Sequence, residues 1–306
     1  GAGMPPPEVE VITAGVGSAT LTQDLPGRLQ AYRTAQVRAR VEGVIEKRLF
    51  KEGSEVEANA SLFQIDARSY KAAAEAAQAD LAIARQIVKR YKSLLEVKAV
   101  SQQEYDQAAG KAKQAEAVSI KAEENLANAS VPAAISGHIG RALVTEGALV
   151  GKSEATLLAT IEQLDPIYAN FTQSGADMFR LRQAVKAGKL KHADAATVQL
   201  LLEDGSLYPQ TGKIFFTDMA VDPSTGAVSL RAEFPNPQRE LLPGMFVRVR
   251  VIVGERANAL LVPEEAIVPQ GAEFYVFKVV DGAARRVPVK IGVRRDAMVE
   301  ILDGLV

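Results

Sequence analysis

DARSYKAAAEAAQADLAIARQIVKRYKSLLEVKAV, residues 66–100, runs directly into SQQEYDQAAGKAKQAEAVSIKAEENLANAS, residues 101–130. In the first half, small or apolar side chains recur every seven residues at Tyr70, Ala77, Ala84 and Tyr91, interleaved with Ala74, Leu81, Val88 and Leu95. In the second half the same rhythm falls on Tyr105, Ala112, Ser119 and Leu126, with Ala108, Ala115 and Ala122. A sustained seven-residue repeat places one narrow stripe on each helix, and two such stripes zip together as a coiled coil. The break is short, Glu96-Val97-Lys98-Ala99-Val100, and Ser101-Gln102-Gln103-Glu104 then has the spacing of a capping box. The spacing predicts a helical hairpin of roughly 30 residues per arm, hence a rod of ~45 Å.

The flanks of this rod repeat each other. Val41-Glu42-Gly43-Val44-Ile45 matches Ile135-Ser136-Gly137-His138-Ile139, Leu49-Phe50-Lys51-Glu52-Gly53 matches Leu143-Val144-Thr145-Glu146-Gly147, and Val56 matches Val150. Glycines at equivalent places predict turns needing positive φ, with β-branched residues in the strands between. Each copy is too short to bury a core alone, so the pair predicts one small β-sandwich with the hairpin inserted between its halves. Two unrelated glycine-containing hairpins are the alternative, and they would leave Gly43 and Gly137 in separate modules.

Elsewhere the pattern is β. Pro5-Pro6-Pro7 is a stiff lead-in, Glu8 to Thr13 alternates as an exposed strand, Leu25-Pro26-Gly27 punctuates, and Arg28 to Arg40 is extended. After Glu162, Leu164-Asp165-Pro166-Ile167-Tyr168 opens a second β region. Ser174-Gly175-Ala176-Asp177 starts a short helix with Met178, Leu181 and Val185 inward, ending at Gly188. Thr197–Leu202 and Leu207–Gln210 form a hairpin about Asp204-Gly205, while residues 221–226 and Leu242-Pro243-Gly244-Met245 are turns. Val247, Val249, Val251 and Val253 alternate with Arg248 and Arg250, and the region predicts a small barrel. A third β region follows Leu260, open to pairing with the first strand.

Composition narrows function. The chain has 306 residues, so several domains are expected. A net charge of −1 gives no electrostatic reason to expect nucleic acid. Cysteine is absent, and His138 and His192 lack ligand-spaced partners, which argues against thiol chemistry, metals and cofactors. No apolar run has the ~20 residues of a membrane-spanning helix. Gly1-Ala2-Gly3-Met4 reads as an expression remnant or a trimmed mature start.

Leu49-Phe50-Lys51-Glu52-Gly53-Ser54, Ile135-Ser136-Gly137-His138-Ile139-Gly140 and Val144-Thr145-Glu146-Gly147-Ala148-Leu149-Val150 carry a resemblance, as do Gln163-Leu164-Asp165-Pro166-Ile167-Tyr168, Phe234-Pro235-Asn236-Pro237 and Leu241-Leu242-Pro243-Gly244-Met245-Phe246-Val247. In these stretches the chain resembles the periplasmic adaptors (membrane fusion proteins, AcrA/MexA type, HlyD-like) of RND tripartite multidrug efflux pumps. The resemblance implies an elongated, mainly β chain. Its parts would be an α-helical hairpin at 67–130, a split lipoyl-like domain at 36–66 plus 131–163, a β-barrel domain with one short helix at 23–35 plus 164–253, and a membrane-proximal domain at 8–22 plus 254–306. It implies a Gram-negative periplasmic subunit attached to the inner membrane, a homo-oligomer (a hexamer of dimer pairs) joining an RND transporter to a TolC-like channel. Departures are Ala134 and Ala67, where the family carries prolines that stiffen joints. The family's lipidated N-terminal cysteine is not in this sequence, and its last domain continues past Gly304-Leu305-Val306.

Arg90, Leu94 and Ser101 match the family's Arg-x3-Leu-x6-Ser tip pattern, which the resemblance assigns to engaging the outer-membrane channel. Arg90 and Leu94 share a helical face; Lys92, Lys98 and Gln102 are further candidates. Each has a plainer reading: Ser101 as N-cap, Leu94 as seam packing, Arg90 as a solvated charge. Tyr70 and Tyr105 read as packing residues. A lipoate or biotin carrier would need a lysine at the turn that the hairpin replaces, and a hydrolase would have only carboxylates such as Glu264-Glu265. An adaptor of ATP-driven type I secretion or macrolide export, and a purely structural coiled coil, are the remaining alternatives.

Overall fold

The computed structural model describes residues 9–188, 197–217 and 220–305. In chain order the first elements are β1 (Gly15–Arg38), β2 (Gly43–Arg48), β3 (Glu55–Val56) and β4 (Ser61–Ile65), then helices α1 (Arg68–Glu96) and α2 (Gln102–Asn128). Next come β5 (Ser130–Pro132), β6 (Gly137–Ile139), β7 (Leu149–Val150), β8 (Leu157–Ser174) and α3 (Gly175–Lys186). The remainder is β9 (Thr197–Leu201), β10 (Gly212–Thr217), β11 (Ala227–Phe234), β12 (Phe246–Pro263), β13 (Val268–Gln270), β14 (Glu273–Val280), β15 (Ala283–Arg295) and β16 (Met298–Asp303). The chain divides into two compact units, residues 31–165 and residues up to 30 with 166 onward.

In the unit of residues 31–165, one sheet runs β5-β4-β2-β7, while β3 pairs with β6 and β6 with β8. Val41 and Ile45 of the first copy meet Ile139 and Val150 of the second in one core, with Phe63, Ile65, Leu158 and Ile161. Gly53 and Gly147 have φ of 72° and 89°, as turns require. The other glycine pair serves a different purpose. Gly43 lies inside β2, where an added Cβ would stand 2.4 Å from Ile65 Cγ2, and a Cβ on Gly137 would stand 2.6 Å from the Glu162 carbonyl oxygen. Both positions are glycine because a neighbour approaches too closely for any side chain.

The hairpin is as periodic as its sequence. Ala74 and Ala77 are buried on α1, Ala108 and Ser119 on α2, and the remaining seam positions are half-buried. At the base the Tyr70 hydroxyl donates to the Glu42 carbonyl at 2.5 Å, and Ala67 and Tyr70 pack on the sandwich core. Ala67 makes no side-chain cap; the Asp66 carboxylate accepts from the Arg68 amide and guanidinium instead. Those bonds, the side-chain one first, hold the Asp66 carboxyl down at about 2.

In the other unit, β8 to β12 and the first half of β1 enclose Leu25, Ile167, Phe171, Leu200, Phe234 and Val249. A second cluster, Val262, Ile267, Val276, Val289, Val299 and Ile301, lies under β12 and β14 to β16, and Ala14 packs against it. Residues 9–13 form no strand; pairing begins with Gly15 opposite Leu261, and Glu8 lies outside the described residues. Leu25-Pro26-Gly27 does not interrupt β1 either, for Pro26 sits opposite Arg248 within an unbroken ladder. Gly27 is needed because its Cβ would stand 2.8 Å from the Asn170 carbonyl oxygen. The turn at Leu242–Met245 closes through the Met245 amide at 3.2 Å with Gly244 at φ 88°, suiting type II. Past Gly205 the return arm is a single bridge, Leu207 to Leu201, before β10 begins, because Pro209 lacks a ladder donor. Met178 and Leu181 are half-buried on α3; the Val185 side chain, like residues 1–7 and His192, falls outside the described residues.

Candidate functional site

α1 ends at Glu96, and the chain reverses through Val97 to Val100. The Lys98 and Ala99 amides donate to the Leu95 and Leu94 carbonyls at 3.0 and 2.8 Å, satisfying helix-end acceptors. Lys98 has φ 61°, in the left-handed region normally taken by glycine after a helix. Ser101 then opens α2 with a complete capping box. The Glu104 amide donates to Ser101 Oγ at 3.2 Å, and the Ser101 amide donates to Glu104 Oε2 at 2.7 Å. The Ser101 amide, then its hydroxyl, lowers the Glu104 carboxyl below its usual range.

Heptad positions sort the rod into two flanks. Arg85 bonds Glu116 at 2.8 Å and Gln78 bonds Glu123 at 2.8 Å; all four take the e position, so one flank is polar and cross-linked. The opposite flank carries Ile87 and Val118 at g and Ile83 at c, 37%, 60% and 57% exposed. Leu94 is also g and Arg90 also c, so these two lie on the same side nearer the tip, a side that also carries Asp80 and Lys111 at g. Lys92 and Gln102 take e positions on the polar flank, and the Gln102 amide is already bonded to Asp106 at 2.9 Å. The tip set is therefore not one face. Arg90 and Leu94 belong together, Ser101 and Lys98 form the turn, and Gln102 looks the other way.

Arg90, Lys92 and Lys98 are exposed and have no carboxylate in ion-pair range among the described residues. Val97, 72% exposed, adds an apolar side chain at the turn that periodicity could not flag, since it lies outside the repeat. The arrangement presents cations and apolar side chains at the end of the rod, of which Arg90 alone is a residue type enriched at interaction hot spots. Among the described residues no group of three or more His, Asp or Glu could hold a metal. Glu264 is paired with Arg294 at 2.8 Å on the surface, and His138 with Glu55 at 3.4 Å. No described helix is long and apolar enough to cross a membrane.

Comparison with known proteins decides the family. Residues 33–162 match the RND MFP barrel-sandwich hybrid domain, residues 166–255 the RND MFP beta-barrel domain, and residues 259–306 the C-terminal permuted SH3-like domain of YknX. The antibiotic efflux pump periplasmic linker protein ArpA of Pseudomonas putida is 50% identical over 263 residues, covering 85% of this chain and 71% of that one. The chain belongs to the RND membrane fusion proteins. The multidrug efflux pump subunit AcrA of Escherichia coli K12 is 46% identical over 286 residues, 88% of this chain and 72% of AcrA. The crystal structure of a MacA-MexA chimera with the Pseudomonas aeruginosa MexA alpha-hairpin domain superposes with a TM-score of 0.67 at 26% identity, covering 95% of each chain. As a membrane fusion protein the chain is mainly β, with the hairpin inserted in the barrel-sandwich hybrid domain.

Proposed function

We propose that this protein is the periplasmic adaptor subunit of a tripartite multidrug efflux pump, linking an inner-membrane RND drug/proton antiporter to an outer-membrane TolC-like channel. The relatives at 46–50% identity are named as periplasmic linkers or subunits of efflux pumps, which supports the reading. It is a mechanical coupler and not an enzyme. It is held to the inner membrane by a lipid anchor and works as a homo-oligomer, a hexamer of dimer pairs. Its working domains are 67–130, 36–66 plus 131–163, 23–35 plus 164–253, and 8–22 plus 254–306. The unpartnered apolar flank of Ile83, Ile87 and Val118 supports side-by-side assembly of hairpins, since such a stripe gains most by contact with another rod.

The observation that carries the reading is the tip: Arg90 and Lys98 without a carboxylate partner among the described residues, with Leu94, at the end of a rod cross-linked on one flank by Arg85–Glu116 and Gln78–Glu123. Arg90 and Leu94 are the centre of the docking surface for the channel and Ser101 and Lys98 its turn, while Gln102, bonded to Asp106, would meet the channel only from the polar flank. In cells lacking the native adaptor, Arg90→Asp and Ser101→Asp should abolish drug resistance at unchanged adaptor abundance. Wild-type resistance in both variants would remove the tip assignment. Crosslinking from Leu94 in a native envelope, with the partner identified by mass, tests the same contact directly.

A further inference from the structure

On the surface of the barrel two consecutive phenylalanines face water. Regular alternation would bury one of them. The ladder between β10 and β11 slips between Ile214 and Phe216, and this bulge leaves Phe215 and Phe216 54% and 50% exposed. Bulges commonly re-aim a side chain at a functional place. Phe215 lies against the Tyr168 ring at 5.2 Å, while Phe216 forms one wall of a cleft of about 490 Å³. Phe246, 61% exposed, lines it too, and Gly27 lets β8 come close enough for Asn170 to line it as well.

Two arginines line the same cleft. Arg28 stacks on Phe246, its guanidinium carbon 3.9 Å from the ring centroid. Arg231 lies over Tyr168 at 4.9 Å and donates to Asn170 Oδ1 at 2.6 Å and Gln30 Oε1 at 3.3 Å; the Asn170 amide also donates to Gln30 Oε1 at 2.7 Å. That amide network fixes the guanidinium plane yet leaves donors unused. Neither arginine has a carboxylate in ion-pair range among the described residues, in contrast to Arg250 on the same barrel, which bonds Asp24 at 2.7 Å. Stacked, oriented guanidiniums without a counter-charge among the described residues, beside the exposed rings of Phe216 and Phe246, match a ligand with a flat apolar body and an acidic group. The volume is that of a small-molecule site.

We propose that this cleft binds an amphipathic organic anion, an aromatic body against Phe216 and Phe246 with its carboxylate or sulfonate received by Arg28 and Arg231. This goes beyond coupling two membrane proteins, and it stands or falls independently of the hairpin tip.

The probe is 2-naphthoate, titrated into the full chain and followed by saturation-transfer NMR and calorimetry, with neutral 2-naphthamide as its uncharged counterpart. Naphthoate should bind saturably, and naphthamide about tenfold more weakly, as loss of a hydrogen-bonded charge contact requires. Arg28→Gln and Arg231→Gln should each weaken naphthoate, and the double variant should lose it, with unchanged circular dichroism. Phe216→Ala should weaken both probes, whereas Phe179→Ala, removing an exposed phenylalanine on α3, should affect neither. Equal affinity for the two probes, unaltered naphthoate binding in the double arginine variant, or no saturable binding to the wild-type chain would each overturn the proposal.

Discussion

Glu300 is a buried carboxylate outside the hairpin. It is 1% exposed, bonded to Arg256 at 2.7 Å, and accepts from the Val293 amide at 3.3 Å. Gly292 makes room for it, since a Cβ there would stand 2.4 Å from Glu300 Oε2. Arg256→Met should cost about 3 kcal/mol by stranding the carboxylate, and adding Glu300→Leu should recover most of that. Chemical denaturation of the three proteins checks it. Asp66 makes a pH prediction. Its folded value of about 2 lies below its ordinary 3.8, so its contribution is complete above about pH 4 and vanishes as pH falls through about 2. In Asp66→Asn this acid step should disappear from an NMR titration of the Arg68 amide. Neither feature was legible in the sequence. Glu300 meets Arg256 only because β16 pairs with β12, and an arginine two residues after Asp66 is no distinctive signal.

At the level of elements, the hairpin is where sequence reading succeeded most fully. Each seam residue named from the seven-residue repeat is buried or half-buried, and the Ser101–Glu104 box closes as its spacing implies. Helix contacts are local, so period and capping suffice. The flanks were less legible, because the apolar character of Ile83, Ile87 and Val118 acquires meaning only once the Arg85–Glu116 pair shows which side faces which. Lys98 is the element's weak joint. Lys98→Gly should stabilise the hairpin by about 1 kcal/mol, since a left-handed conformation is strained for a residue with a Cβ. Slower amide exchange in the last turn of α1 is the expected reading. If lysine is there for its charge, resistance should fall even as exchange slows. Ser101→Ala should act oppositely on exchange, costing about 1 kcal/mol of capping.

Across the molecule, the cores are separable. The sandwich core draws on Ala129 and Val131 just past α2 and on Ala67 and Tyr70 at the foot of α1, but on nothing further along the hairpin. Excising residues 72–127 and closing the stubs with a short turn, which spares Ala67, Tyr70, Ala129 and Val131, should leave β-type circular dichroism and a cooperative melt; a chain without either would show that the halves need the hairpin to fold. The paired glycine motifs announced that two distant stretches share one core, and the Val-Arg alternation announced β12. What the sequence determined by itself was whatever depends on near neighbours: helix period, caps, positive-φ turns and the internal repeat. Only the tertiary structure decided why Gly43, Gly137 and Gly27 must be bare, why Pro26 does not break β1, and that a bulge turns Phe215 and Phe216 outward beside Arg28 and Arg231. Those outcomes depend on which backbone lies against which, and strands far apart in the chain carry no local mark of the partner they will meet.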